Sequence, residues 1–325
     1  MKKIFITGGT GFCGSHLLDA YLERDDVKLF AIKRWRSRTE NVEHIKDGVE
    51  WIECDITDAG AVNKVIKNIK PDIIHHLAAQ SFVTTSWLYP AKTFNVNIMG
   101  SLYLFEAVMN HCPEAIVQVA SSSEIYGVPK FIPITEAAIP EPCSPYAVSK
   151  LAMDRLAAQF HKSYGMKSVI TRAFNHEGAR RGDVFVISSF AKQLMEIKHG
   201  IRNHTIEVGN LDSKRDWTNV RDMVKAYIVA VEKCSYGEPY NICSNNSVSV
   251  KEMLGELTKL SGLKVKIKIS KERIRPSDLY VLEGDNSKFC KKTGWKPESS
   301  LTEILKETLE YWDEKIKKEI DSEKK

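Results

Sequence analysis

Lys3-Ile4-Phe5-Ile6-Thr7-Gly8-Gly9-Thr10-Gly11-Phe12-Cys13-Gly14 opens the chain and decides its fold. An apolar run that breaks into glycine predicts a buried parallel strand over residues 3–7 and a helix from about residue 14 to 23. Gly8, Gly11 and Gly14 stand between them at the spacing Gly-x-x-Gly-x-x-Gly. Glycine is needed where the backbone turns tightly and closes on a pyrophosphate held at a helix N-terminus. A tight turn alone could use the same triplet, but a strand before it and a helix behind it are the setting of a dinucleotide site. Gly8, Thr10, Gly11, Phe12, Cys13 and Gly14 are therefore candidate cofactor residues.

Strand-like runs recur at residues 27–32, 49–54, 73–78, 116–120 and 168–173, with helical patterns at 59–69, 90–110 and 145–164. Strand and helix in alternation predict right-handed crossovers and a doubly wound parallel α/β sheet of the Rossmann type. After Phe174 the rhythm loosens: helices are expected at 185–199, 220–233, 249–261 and 301–319, and strands at 205–208, 239–242 and 265–269. We read residues 1–174 as a dinucleotide-binding domain to which 217–244 return. Residues 175–216 and 245–325 then form a smaller C-terminal α/β lobe over the carboxyl edge of the sheet, where such folds bind ligands. The helices at 90–110 and 145–164 are apolar on more than one face, which fits either a dimer contact or deep burial.

The composition bounds the partners. With 43% hydrophobic and 27% charged residues the 325-residue chain is globular, and its net charge of +5 comes from interspersed charges. The densest basic cluster, Lys33 to Arg38, is short, fitting a phosphate better than a nucleic-acid groove. Seven cysteines without a Cys-x-x-Cys pair predict reduced thiols in a cytoplasmic protein. The apolar run after Lys2 and Lys3 breaks at Gly8, too early for a signal sequence or membrane span. His75, His76 and His176 lack metal-ligand spacing and are read as packing residues or as supports behind the site, with no metal expected.

The end of the second strand selects the dinucleotide. Ile32-Lys33-Arg34-Trp35-Arg36-Ser37-Arg38 offers no carboxylate to hold ribose hydroxyls and repel a 2′-phosphate. Lys33, Arg34, Arg36 and Ser37 could bind that phosphate, so NADP is the expected cofactor. Asp55 and Ile56 should meet the adenine, and Leu77, Ala78, Ala79 and Ser81 should lie beside the cofactor. Farther on, Tyr146 and Lys150 sit four apart on a helix, so the ammonium could acidify the phenol and make Tyr146 an acid/base. The pair alone is a weak signal.

Thr7-Gly8-x-x-Gly11-x-x-Gly14, Asp55, His76-Leu77-Ala78-Ala79-Gln80-Ser81, Asn97-x-x-Gly100, Ser121-Ser122-Ser123-Glu124-x-Tyr126-Gly127 and Ser144-Pro145-Tyr146-x-x-x-Lys150 strengthen it. With Asn175, these motifs resemble an extended short-chain dehydrogenase/reductase that modifies nucleotide sugars. Phe174-Asn175-His176-Glu177-Gly178-Ala179-Arg180-Arg181-Gly182, Gly209 to Trp217 and Arg275-Pro276-Ser277-Asp278 are most similar to the GDP-mannose 4,6-dehydratase family. That resemblance implies catalysis by Ser122, Glu124, Tyr146 and Lys150, with Phe174 and His176 at the cofactor. Ser122, Asn175, Arg181, Asn210, Arg215, Arg275 and Asp278 would line a GDP-sugar pocket, Tyr126 would form a wall of it, and the chain would form a homodimer or homotetramer.

The implied reaction is oxidation at C4, elimination of water across C5 and C6, and return of the hydride to C6. Ser86-Trp87 and Asn97-Ile98-Met99-Gly100 resemble the sister 4-keto-sugar reductases and epimerases, which stay open as alternatives. A non-catalytic NADP-binding regulatory protein of the same fold would be expected to lack Tyr146 or Lys150. Both are present.

Overall fold

The computed structural model describes residues 1–273 and 279–323. The large sheet starts with β1 (Lys2–Thr7), α1 (Phe12–Leu22), β2 (Val27–Lys33), β3 (Glu50–Glu53), α2 (Ala59–Ile69) and β4 (Ile73–His76). Then come α3 (Val83–Leu88), α4 (Pro90–Phe94), a π-helical turn at Asn95–Met99, α5 (Gly100–His111), β5 (Ile116–Ala120), α6 (Pro145–Tyr164) and β6 (Lys167–Ala173). The rest comprises β7 (Asn175–Glu177), α7 (Val186–Lys198), β8 (Thr205–Val208), β9 (Lys214–Asn219), α8 (Val220–Lys233) and β10 (Pro239–Ile242). It closes with β11 (Ser247–Ser249), α9 (Val250–Ser261), β12 (Lys266–Ile269), β13 (Val281–Leu282), α10 (Ser287–Thr293) and α11 (Leu301–Glu323).

Seven parallel strands form one sheet in the order β10-β6-β5-β4-β1-β2-β3. Ile4, Phe5 and Ile6 are buried together on β1 because helices cover both faces, as parallel strands require. Phe5, Phe30, Leu104, Phe105, Val117, Met153 and Phe160 pack between the sheet and α2, α5 and α6. Ile4, Ile6, Leu17, Leu18, Leu29, Val220 and Val224 fill the other face, under α1 and α8. The chain runs one way from β1 to β3 and the other way from β4 to β6. The strand order thus reverses between β1 and β4, and the crevice at their carboxyl ends is the ligand position of this topology.

A separate core, including Ile187, Leu194, Trp217, Met253, Leu257, Leu305 and Trp312, unites α7, α9, α11 and β9. Beside it lie a small sheet ordered β11-β9-β13, with β7 also on β9, and the pair β12-β8. Several expectations change here. Residues 214–219 form β9, absent from the expected elements together with α3, β7, β11, β13 and α10, the strands expected at 49–54, 73–78 and 265–269 are shorter, and the helix expected over 90–110 contains the π-helical turn. Burial within the chain accounts for Leu104, Phe105, Val108, Met153, Ala157 and Phe160 on α5 and α6. Every cysteine is a free thiol, and no described helix is long and apolar enough to cross a membrane.

Candidate active site

The glycine turn sits at the crevice. A Cβ on Gly14 would run into the Gly8 carbonyl and stand 2.8 Å from Gly9 Cα, so only glycine lets α1 start this close to β1. The Thr7 hydroxyl accepts from the amides of Leu77 and Ala78, both at 3.1 Å, tying the turn after β1 to the turn after β4. Gly11 caps α1 without a side-chain hydrogen bond, which suits a phosphate at the first-turn amides. Gly14→Ala is expected to lower the melting temperature and largely abolish the stabilisation that NADPH gives in differential scanning fluorimetry. The packing penalty should be about 1–3 kcal/mol. A variant that NADPH stabilises as well as the wild type would remove the glycine argument.

At the end of β2, Ser37 Oγ accepts from Arg34 N at 3.0 Å and Ser37 N donates to Arg34 O at 2.9 Å. This turn leaves Arg34 and Arg36 exposed and Lys33 and Ser37 half-buried. The Arg36 guanidinium lies 4.8 Å over the Trp35 ring. Three cations and a hydroxyl without a carboxylate fit a 2′-phosphate, and the glycine cradle fits a pyrophosphate. The donor set thus suits NADP. Asp55 is exposed and its Oδ1 accepts from Thr57 N and Oγ1 at 2.9 and 2.8 Å. Ile56 is buried, Leu77, Ala78 and Ala79 are half-buried, and Ser81 is exposed.

The catalytic candidates come from two elements. Ser144 caps α6 by accepting from Ala147 N at 3.1 Å, with Pro145 in the first turn. This start fixes Tyr146 and Lys150 one turn apart, both buried. Ser122 and Glu124 lie on the single 3-10 turn that follows β5, and Ser122 Oγ accepts from Glu124 N at 3.2 Å. Gly127 releases the chain from that turn at φ +62°, where any Cβ would strike the Glu141 carbonyl.

The phenol is not acidified in the manner expected. Burial pushes the Tyr146 pKa up to about 12; a hydrogen bond from Ser122 and the Arg181 charge pull it down, and the Glu124 charge raises it. Lys150 Nζ instead donates to the Ala120 carbonyl at 2.8 Å and lies 5.9 Å from the centre of the Tyr146 ring. Burial lowers the lysine's own pKa to about 8. Ser122, Glu124 and Tyr146 are thus brought together, with Lys150 anchored beside them.

His176 Nε2 meets Cys13 Sγ at 3.0 Å, and its Nδ1 meets the Phe174 carbonyl at 2.9 Å. Its ring stacks with Phe12 at 5.9 Å, placing His176 against the glycine turn. Arg181, expected at the sugar, lies between the rings of Phe12 at 4.8 Å and Phe185 at 3.4 Å. Its Nε is 3.9 Å from Glu177 Oε1. Burial pushes the Glu177 pKa up to about 7 despite the Arg181 charge. The sequence reading gave Glu177 and Phe185 no role, although the four-residue spacing of Glu177 and Arg181 was available as a signal.

Two further expectations are corrected. Phe174, expected at the cofactor, instead has its ring packed in a core with Ile125, Tyr126, Ile134, Cys243, Leu279 and Leu282. Tyr126 is buried too: its hydroxyl donates to Asn241 Oδ1 at 2.7 Å and accepts from Arg172 Nη1 at 3.0 Å. Arg215 is buried on β9, with Nη1 donating to the carbonyls of Lys214 and Leu279 at 2.9 and 2.7 Å. Asn210 is half-buried and its Oδ1 accepts from Asp212 N at 3.0 Å. Asn175 starts β7, half-buried beside His176. Arg275 and Asp278 lie outside the described residues.

Comparison with known proteins gives the family of the chain. The family model described as GDP-mannose 4,6 dehydratase matches residues 5–308. The chain is 31% identical over 320 residues to the GDP-6-deoxy-D-mannose reductase of Pseudomonas aeruginosa, covering 98% of this chain and 99% of that one. It is 30% identical over 349 residues to the GDP-mannose 4,6-dehydratase of Yersinia enterocolitica, covering 95% and 93%. Among solved structures, RMD from Pseudomonas aeruginosa complexed with NADPH superposes with a TM-score of 0.84 at 28% identity, covering 97% of this chain and 100% of that one. The sheet, the glycine turn and the Ser122, Glu124, Tyr146 and Lys150 group thus occur in a chain that belongs to the GDP-mannose 4,6-dehydratase family, a family of Rossmann-fold enzymes acting on nucleotide sugars.

Proposed function

We propose that the protein is an NADP-dependent 4,6-dehydratase that converts GDP-mannose to GDP-4-keto-6-deoxy-mannose. The observation that carries this reading is the placement of a carboxylate, Glu124, on the 3-10 turn that Ser122 caps, with its charge acting on the Tyr146 phenol. When bound, NADP would supply a hydride acceptor that is regenerated within one turnover.

The chain's own residues would manage the protons. Tyr146, acting as the phenolate, takes the proton of the C4 hydroxyl, and Ser122 donates to the C4 oxygen as it becomes a ketone and then an enolate. The ketone acidifies the C5 proton. Glu124 removes that proton and delivers it to the departing C6 hydroxyl, so one carboxyl serves both ends of the elimination, and the proton that Tyr146 took from the C4 hydroxyl balances the one that C5 regains when the hydride returns to C6. Lys150, buried beside Tyr146, holds positive charge against the phenolate. Arg215, buried on β9, and Arg275, which lies outside the described residues, are assigned to the diphosphate.

The test is to incubate the purified protein with GDP-mannose and no added cofactor. A 4-keto-6-deoxy product that absorbs in alkali, lost at least about a hundredfold in Glu124→Gln, supports the reading. A second reading, GDP-4-keto-6-deoxy-sugar reductase, is favoured by one observation. The Pseudomonas reductase aligns almost without gaps, whereas the Yersinia dehydratase needs 349 positions for 95% of this 325-residue chain. Stoichiometric oxidation of NADPH by a 4-keto sugar, with no product from GDP-mannose, would establish that reading instead.

A further inference from the structure

We infer that His76 is a positioning residue for the catalytic helix, a role that rests on the reading of Tyr146 and Lys150 given above. The groups around it set the direction of every hydrogen bond. Thr7 Oγ1 accepts from the amides of Leu77 and Ala78, so both its lone pairs are engaged and its single proton goes to His76 Nδ1, 2.8 Å away. Nδ1 is therefore the acceptor and the ring proton sits on Nε2. That nitrogen donates to Ser101 Oγ at 2.9 Å, and Ser101 donates onward to the Asn97 carbonyl at 2.6 Å.

Asn97 belongs to the π-helical turn at Asn95–Met99. Its Oδ1 accepts from Gln80 N at 2.7 Å, while its Nδ2 donates to Gln80 O at 3.1 Å and to Ser149 Oγ at 2.8 Å. Ser149 then donates to the Tyr146 carbonyl at 2.7 Å. Thr7, His76, Asn97, Ser101 and Ser149 are fully buried, so no water can replace a missing member without a cavity. The chain of bonds joins the turn after β1 to α6 at the residue between Tyr146 and Lys150. Burial, aided by the Lys150 charge, lowers the imidazole pKa to about 3, in keeping with a neutral ring.

An imidazole that merely fills the core would affect stability alone; a positioning residue also affects turnover. In ¹⁵N-histidine NMR of the full chain, the His76 ring is expected to show a protonated Nε2 and a bare Nδ1 from about pH 5.5 to 9. A protonated Nδ1 overturns the proposal. His76→Leu removes both hydrogen bonds. It is expected to shift the amide signals of Tyr146 and Lys150 and to lower kcat about a hundredfold, with KM and NADPH affinity changed less than about threefold. His76→Gln keeps an acceptor beside a donor and is expected to recover kcat to within about tenfold of the wild type. Unchanged kcat in a destabilised Leu variant, or equal losses in both variants, overturns the proposal. If the wild type turns over no GDP-sugar, the proposed activity falls, and the ring and amide signals still decide the role of His76.

Discussion

Tyr146→Phe is expected to lower kcat by roughly 10³-fold, within the range for loss of a positioned acid/base, while NADPH affinity stays close to that of the wild type. The substitution removes one oxygen from a buried ring and leaves α6, capped by Ser144, intact. The measurement pairs steady-state turnover with NADPH titration by fluorescence. A loss below about tenfold would move the proton chemistry to another group. The pH profile sharpens the test. Lys150, its pKa lowered to about 8 by burial, carries charge below that pH and loses it above. The alkaline fall of kcat is therefore expected near pH 8, and activity that persists undiminished beyond pH 10 would show that Lys150 is held charged by another group or is not needed.

The largest expected effect on stability lies behind the same turn. Arg172 on β6 and Asp154 on α6 are each 1% exposed, with Arg172 Nε 2.8 Å from Asp154 Oδ2 and Nη2 3.1 Å from Oδ1. The ion pair is two-pronged and tied in on every side. Arg172 Nη1 donates to Tyr126 Oη at 3.0 Å and to the Glu136 carbonyl at 3.2 Å, and Ser121 Oγ donates to Asp154 Oδ2 at 3.0 Å. Removing the guanidinium strands a carboxylate without water. Arg172→Met should cost about 3–5 kcal/mol, read as a lower midpoint in urea unfolding. Arg172→Met/Asp154→Leu should recover part of that loss, because no charge is left unpaired. A single variant within about 1 kcal/mol of the wild type would mean that water reaches the pair.

The parallel sheet was legible because strands such as β1 and β5 carry apolar runs that are buried between helix layers. Strand β9 was hidden for the opposite reason. Lys214-Arg215-Asp216-Trp217-Thr218-Asn219 looks polar, yet Arg215 and Asp216 are buried with partners from distant segments. Asp216 Oδ1 accepts from Ser244 N and Oγ, both at 2.7 Å, and Arg215 donates to the Leu279 carbonyl. Hydropathy counts charges as exposed and cannot foresee their partners. The four-residue spacing of Tyr146 and Lys150 was legible too, but spacing fixes a shared helix face and not the reach of an ammonium, which the Ala120 carbonyl captures. Arg181 was read as a cation of the sugar pocket; its stacking between Phe12 and Phe185 depends on segments that meet only in the fold.

The order of the large sheet also constrains how the molecule can be made. Strand β10 pairs with β6 in register from Pro239↔Ile170 to Ile242↔Ala173, although residues 174–238, which include β7 to β9 of the other lobe and α8, lie between them in sequence. During synthesis β6 therefore keeps an open hydrogen-bonding edge until residue 242 has emerged, long after the glycine turn and α6 are complete. An unpaired, apolar edge of a parallel sheet is a template for pairing with the wrong chain. Translation speed between residues 174 and 242 thus sets how long the nascent protein is exposed to misassembly, and cutting the chain after β6 makes that exposure permanent.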